Sequence, residues 1–78
     1  MPEYMYILSG EKPFTESEMT EIRDGVQRLF KCTDLSVSDG RVFTMRSPFG
    51  PNDIEYLADE ARKRFRLRLR GGGAVSKG

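Results

Sequence analysis

Two short runs of alternating apolar and polar residues meet at an Asp39-Gly40 pair, and this hairpin signal constrains the fold more than any other feature. Leu35 and Val37 share one face of the first run, and residues 41–45 form the second. A two-stranded hairpin is not stable alone in water, so it must lie against other elements. The sequence therefore predicts a hairpin that packs on helices.

The segment before the hairpin has the pattern of an amphipathic helix. Thr15 and Glu18 have the spacing of a capping box, so the helix is expected to begin after Thr15. Its apolar residues recur at intervals of three and four, which places them on one face. They are Met19, Ile22, Val26, Leu29 and Phe30.

A second amphipathic helix is predicted after the turn at residues 47–51. Pro51 or Asn52 opens it, and Asn52 and Glu55 repeat the spacing of a cap and a following carboxylate. Acidic residues precede basic ones along this segment, which suits the helix dipole. Its apolar face consists of Ile54, Leu57, Ala58, Ala61 and Phe65.

The two ends of the chain are open to two interpretations. Tyr4–Leu8 is a short apolar run, and Phe65–Arg70 alternates with period two but also continues the helical stripe. We predict an α+β domain with an N-terminal strand or arm (1–13), an α-β-β-α core (14–65) and a basic, glycine-containing extended arm (66–78). The alternative is a βαββαβ sheet domain, in which Tyr4–Leu8 and Phe65–Leu69 are both core strands.

The residue inventory argues against a metal site and against catalysis. The chain has 78 residues, one cysteine (Cys32) and no histidine. A single cysteine forms no internal disulfide and, without histidine, no zinc site of the usual Cys/His type. Histidine is also the commonest general acid or base and the usual activator of a thiol. We therefore expect no cofactor and no enzyme, and we expect self-association or a partner to stabilise so small a domain.

Charge is distributed unevenly along the chain. Residues 1–40 carry four basic and eight acidic side chains, and residues 41–78 carry nine basic and four acidic ones, although the total is only +1. This polarity predicts an acidic face and a basic face, suited to nucleic acid or to packing against copies of the same chain. No run approaches the roughly 20 apolar residues of a membrane span.

Arginines that alternate with leucines make the C-terminal segment the predicted binding site. Arginine offers paired donors to carboxylates and phosphates. The interleaved leucines distinguish the segment from a purely solvating tail, which is the alternative interpretation. The predicted partner-binding residues are Arg62, Arg64, Arg66, Leu67, Arg68, Leu69 and Arg70. Contacts to phosphate or to a DNA channel are predicted for Arg41, Arg46 and Lys63.

The order helix, hairpin, helix and basic tail resembles a family of phage proteins. The similarity begins with Ile22–Leu29 as the last part of a first helix, followed by the turn at Ser38–Arg41 and then Val42–Thr44. It continues with the helix start at Asp53–Leu57 and with the arginine- and glycine-containing residues 62–73. Over residues 15–73 the chain resembles the head-to-tail joining (head completion) proteins of tailed phages, the lambda W-like family. The N-terminal run 1–13 and the proline-rich turn 47–51 depart from the family pattern.

The resemblance implies a viral structural adaptor. Such proteins form rings that join the portal to the next connector or tail protein around the DNA channel, so the implied location is the head–tail interface of the virion or the host cytoplasm. The implied partners are the portal or a neighbouring connector, further copies of the chain, and non-specific DNA. The alternative function is a small regulator or inhibitor that binds a host protein or nucleic acid through the C-terminal arm.

Overall fold

The protein is a two-layer α+β domain, which confirms the predicted fold class. A computed structural model describes residues 3–74, and the side chains of residues 3–73. The elements in chain order are β1 (Tyr4–Ser9), α1 (Glu16–Phe30), β2 (Thr33–Ser38), β3 (Val42–Ser47), α2 (Pro51–Phe65) and β4 (Arg68–Ala74). The four strands form one antiparallel sheet in the order β2-β3-β1-β4. This is the βαββαβ, or ferredoxin-like, arrangement.

The two terminal segments are strands of the sheet, and this corrects the predicted arms. β1 lies between β3 and β4 and pairs with both along its whole length. β4 occupies Arg68–Ala74, where an extended free arm was predicted. The structure thus follows the alternative βαββαβ order, but its last strand begins at Arg68, so Phe65 ends α2 and residues 66–67 form the connection. The last four residues of the predicted arm, 75–78, lie outside the described residues.

Both helices begin close to where the sequence indicates. The Thr15 side chain accepts a hydrogen bond from the Glu18 N–H at 3.2 Å, and the Glu18 carboxylate accepts one from the Thr15 N–H at 2.9 Å. α2 starts at Pro51, one of the two predicted openings, with Gly50 as its N-cap and without a capping side chain, so the predicted Asn52 cap is not used. Proline suits this first position because its missing N–H would have no partner there.

The core lies between the helices and one face of the sheet. Every second residue of β1 and β3 is buried there, as Tyr6, Leu8, Phe43 and Met45 show. The helices contribute Ile22, Val26, Phe30, Leu57 and Ala61, and Leu67 completes the buried set from the α2–β4 connection. All ten lie in segments that the sequence marks as apolar runs, alternating runs or helical stripes, although Leu67 was predicted there as a partner-binding residue.

One buried polar side chain joins the first helix to the hairpin. The Ser47 hydroxyl donates a hydrogen bond to the Phe30 carbonyl at 2.7 Å and accepts one from the Phe49 N–H at 3.2 Å. Ser47 is 1% exposed, so both partners are needed to offset its desolvation. This contact ties the end of α1 to the end of β3.

Candidate protein-binding surface

The sheet has a second face, opposite the helices, that no described element covers. It carries the alternate residues of each strand, including Met5, Ile7, Val42 and Thr44, none of which belongs to the core cluster. Met5 is 38% exposed, and the other three are half-buried. Antiparallel sheets often expose one face to water. Here the two central strands place apolar side chains on that exposed face.

Three arginines meet at one corner of this face, and we name Arg41, Arg68 and Arg70 the arginine corner. They border a shallow depression together with Ile7, Ser9, Gly10, Glu11 and Val42. The sheet register explains the meeting, because Ser9 pairs with Val42 on one side and with Arg68 on the other. Residues that are 27 positions or more apart in the chain are thereby adjacent across three strands.

Arg41 is held in place by the backbone of the β1–α1 connection. Its guanidinium donates a hydrogen bond to the Gly10 carbonyl at 3.0 Å, and the Gly10 N–H donates to the Arg41 carbonyl at 2.9 Å. The side chain is half-buried. A partner that binds here therefore meets an arginine whose rotamer is already restricted, which lowers the entropic penalty of binding.

Arg70 owes its position to an irregularity in β4. The register shifts between Ile7, which pairs with Gly71, and Leu8, which pairs with Leu69, so Arg70 is an extra residue on its strand. Such bulges bend a strand and re-aim a side chain. Arg70 belongs to the arginine corner and also borders a groove on the helix side of β4. Arg68 and Arg70 are both exposed.

The predicted basic residues of α2 form ion pairs within their own helix. Arg62 and Lys63 lie 2.8 Å and 3.0 Å from the two oxygens of Asp59, and Arg64 lies 2.9 Å from Glu60. Hydrogen bonds from Arg62 first and then Lys63 lower the pKa of Asp59. The basic side chains of these pairs are exposed, and surface ion pairs of this kind stabilise a fold only slightly. They partly neutralise the helical section of the predicted site.

The remaining predicted residues fall into different environments. Arg46 lies 3.8 Å from carboxylate oxygens of both Glu3 and Asp34. Arg66 is exposed and ends α2 in the left-handed conformation. Within residues 3–73, no carboxylate lies within 4 Å of Arg66 or of the arginine corner.

Leu67 and Leu69 do not act alike, although the sequence predicts both as binding residues. Leu67 is fully buried in the core, so its place in the predicted partner surface is wrong. Leu69 pairs with Leu8 and remains 38% exposed. It borders the groove on the helix side of β4, together with Tyr4, Tyr6, Pro51 and Ile54. We name this the edge groove.

The predicted separation into an acidic and a basic face is only partial. Glu18 of the acidic first half borders the same depression as Arg62 and Arg66 of the basic second half. Glu21 and Asp24 likewise lie beside a depression that Arg64 borders. The fold therefore mixes the two charge halves along the helices, and the arginine corner combines three arginines with one acidic neighbour, Glu11.

The uncovered face lacks the aromatic side chains that bind nucleic-acid bases by stacking. On the described strands the aromatic residues are Tyr4, Tyr6 and Phe43, and all three are directed to the helix side. Single-stranded nucleic acids are usually bound on aromatic platforms combined with basic grooves. This face supplies arginines and aliphatic residues instead.

No group of three or more His, Cys, Asp or Glu residues among residues 3–73 could hold a metal ion. No helix within residues 3–74 is long and apolar enough to cross a membrane. Cys32 is half-buried, and this burial raises the pKa of its thiol.

Neither a protein-family model nor a curated protein matches this chain.

The sequence identified the arginines of the site but not the strand register that groups them. Arg41 was predicted to contact phosphate or a DNA channel, and the sheet brings it beside Arg68 and Arg70. A partial signal was present: the apolar run Tyr4–Leu8 and the alternation over Phe65–Arg70 are both compatible with strands. Only the pairing register places Arg68 in the same row as Val42.

Proposed function

We propose that this chain is a non-enzymatic binding module that docks an acidic surface of a partner protein on its arginine corner. The observation that carries the proposal is the convergence of Arg41, Arg68 and Arg70 beside the apolar residues Ile7 and Val42. Arginine and large apolar residues are enriched in protein interfaces. Arginine binds carboxylates through two parallel hydrogen bonds.

The local charge balance supports an acidic partner. Glu11 is the one acidic residue that borders the depression, against three arginines, and no carboxylate in residues 3–73 lies within 4 Å of those arginines. The donors of Arg68 and Arg70, and those of Arg41 that the Gly10 carbonyl does not occupy, are therefore open to an incoming carboxylate. Nucleic-acid phosphates could use the same donors, but a total charge of +1 and a face without aromatic side chains favour a protein.

The phage adaptor role is a more specific form of the same proposal. The resemblance covers the order helix, hairpin, helix, and α1, β2, β3 and α2 follow that order over Glu16–Phe65. β1 and β4 are added to the same sheet, so the basic C-terminal segment would contribute an edge strand to the adaptor. Sedimentation velocity at tens of micromolar tests ring formation. A species many times heavier than 8.9 kDa supports the adaptor role, and a monomer at all concentrations contradicts it.

A binding experiment tests the arginine corner directly. The probe is a fluorescent 12-residue peptide in which glutamate alternates with valine, and its affinity is compared with that of a 12-base-pair DNA duplex. Arg68→Glu should weaken peptide binding by about tenfold or more, since it removes a charge-assisted hydrogen bond and adds repulsion. Arg23→Glu is the matched control, because it makes the same charge change at an exposed position of α1.

The two variants and the salt dependence separate the outcomes. Equal weakening by Arg68→Glu and Arg23→Glu would show that only net charge matters and would refute the arginine corner. Tighter binding of the duplex, with an affinity that falls steeply with salt, would instead favour the regulator that binds nucleic acid.

A further inference from the structure

The outer edge of β4 is an unpaired strand edge within the described chain. β4 is the last strand in the order β2-β3-β1-β4, so its backbone pairs with β1 on one side only. Natural edge strands are commonly protected from further pairing by proline, by inward-pointing charge or by a covering element. From Gly71 to Gly73 the edge has no side chain at all, and the strand contains no proline.

The opposite edge of the sheet is much less suited to pairing. β2 pairs with β3 through a register shift between Thr33 and Ser36, and Asp34 within that stretch has a left-handed backbone with φ of 53°. Such irregularities interrupt the row of backbone donors and acceptors that a new strand needs. β4 has its bulge at Arg70 and then pairs in continuous register from Gly71 to Ala74.

The edge groove lies directly beside this unpaired edge. It is bordered by Gly71, Gly72 and Gly73 as well as by Leu69 and Ile54, and its surface is mainly apolar. Gly72 sets its shape: a Cβ atom there would collide with the Tyr6 ring and would lie 2.9 Å from the Met5 carbonyl oxygen. Gly71 and Gly73 have nothing within 4 Å of a Cβ position. A backbone can therefore approach this edge without meeting a side chain.

We propose that the partner's acidic segment binds in extended form as a fifth strand on β4. Added strands obtain affinity from main-chain hydrogen bonds and specificity from pockets for alternate side chains. One apolar side chain of the segment would enter the edge groove beside Leu69 and Ile54. A neighbouring carboxylate would reach Arg70, which belongs to the arginine corner and also borders the edge groove.

Charge decides between this occupant and a second copy of the chain. A second β4 would bring two further arginines to an edge that already carries Arg68 and Arg70, whereas an acidic segment neutralises them. The acidic character of the segment rests on the proposed function. The strand-addition geometry rests on the edge and the groove.

Backbone methylation of the peptide tests strand addition without altering the protein fold. The glutamate–valine peptide is made in two versions, N-methylated at alternate residues so that either one edge or the other loses its N–H donors. Loss of main-chain hydrogen bonds should weaken one version by about tenfold or more and leave the other nearly unchanged. Backbone amide shifts of the full chain should change at residues 69–73 and not at residues 36–38.

The outcomes distinguish this inference from the proposed function. If Arg68→Glu weakens binding but both methylated peptides bind like the parent, the arginine corner stands and strand addition is refuted. If the parent peptide does not bind, both are refuted. Peptide-dependent shifts at residues 36–38 alone would place the new strand on β2 and also overturn the inference. The sedimentation coefficient of the free chain could also rise with protein concentration and return to the monomer value when peptide is added. That result would identify a second copy as the occupant of the edge and would overturn the inference.

Discussion

Leu67 and Leu69 offer a direct test of whether the C-terminal segment is a strand or a free arm. They are two residues apart in an alternating sequence, and a free arm would expose both. In the structure Leu67 is fully buried, and Leu69 is 38% exposed. Leu67→Ala should therefore destabilise the fold far more than Leu69→Ala does.

The expected magnitudes follow from burial. Leu67→Ala removes about three buried carbon groups, or about 2.4 kcal/mol of transfer free energy at ~0.8 kcal/mol each. The cavity left in a closed core raises the total to about 3–5 kcal/mol. Leu69 is already partly hydrated and borders an open groove, so its truncation should cost about 1.5 kcal/mol at most.

Urea unfolding followed by circular dichroism measures both free energies of unfolding. A domain of 78 residues is stable by about 4–12 kcal/mol, so Leu67→Ala takes away a large share of the total. Leu67→Val, which removes about one carbon group, gives a smaller change of about 1 kcal/mol if the alanine variant does not fold. Equal losses of the free energy of unfolding in Leu67→Ala and Leu69→Ala would refute the burial of Leu67 in the α2–β4 connection. A loss below about 1 kcal/mol in Leu67→Ala would refute it as well.

Two further predictions concern Gly72 and Cys32. Gly72→Ala should lower the free energy of unfolding by about 1–3 kcal/mol, because the new methyl group meets the Tyr6 ring and the Met5 backbone. Gly73→Ala has open space around its Cβ position and should be neutral or slightly stabilising. Equal melting temperatures for the two variants would contradict this prediction. Burial raises the pKa of the Cys32 thiol above its unfolded value, so the folded state favours the protonated thiol. The resulting contribution to the free energy of unfolding is present below the unfolded pKa and is lost as pH rises through the folded pKa. Iodoacetamide at pH 8 should therefore modify the native chain several-fold more slowly than the chain in urea, and equal rates would count against a buried thiol.

Local signals in the sequence were accurate where a few neighbouring residues fix the conformation. The capping box at Thr15 and Glu18 forms as predicted, and the Asp39-Gly40 turn joins β2 to β3. The Asn52 cap was wrong because Gly50-Pro51 starts α2 two residues earlier. Each of these outcomes depends on backbone geometry and hydrogen bonds within one turn of chain.

Local pattern alone could not decide whether the ends belong to the sheet. The apolar run Tyr4–Leu8 and the alternating residues 66–70 each fit a strand or an extended arm, and Phe65 and Leu69 also fit a helix. Burial resolves this, because Leu8 and Leu67 are fully enclosed by the same core. The free energy for that enclosure comes from residues far away in the chain.

The sequence by itself determined the two amphipathic helices, the hairpin and the presence of an arginine-rich end. Tertiary structure decided which arginines are available and where they lie: those of α2 pair with Asp59 and Glu60 one helical turn away, and Arg68 and Arg70 join Arg41 across the sheet. The physical reason is that ion pairs and helix caps act over one turn of chain, whereas strand register is fixed by backbone pairing between distant segments. The arginine corner and the unpaired edge of β4 exist only because β1 is inserted between β3 and β4.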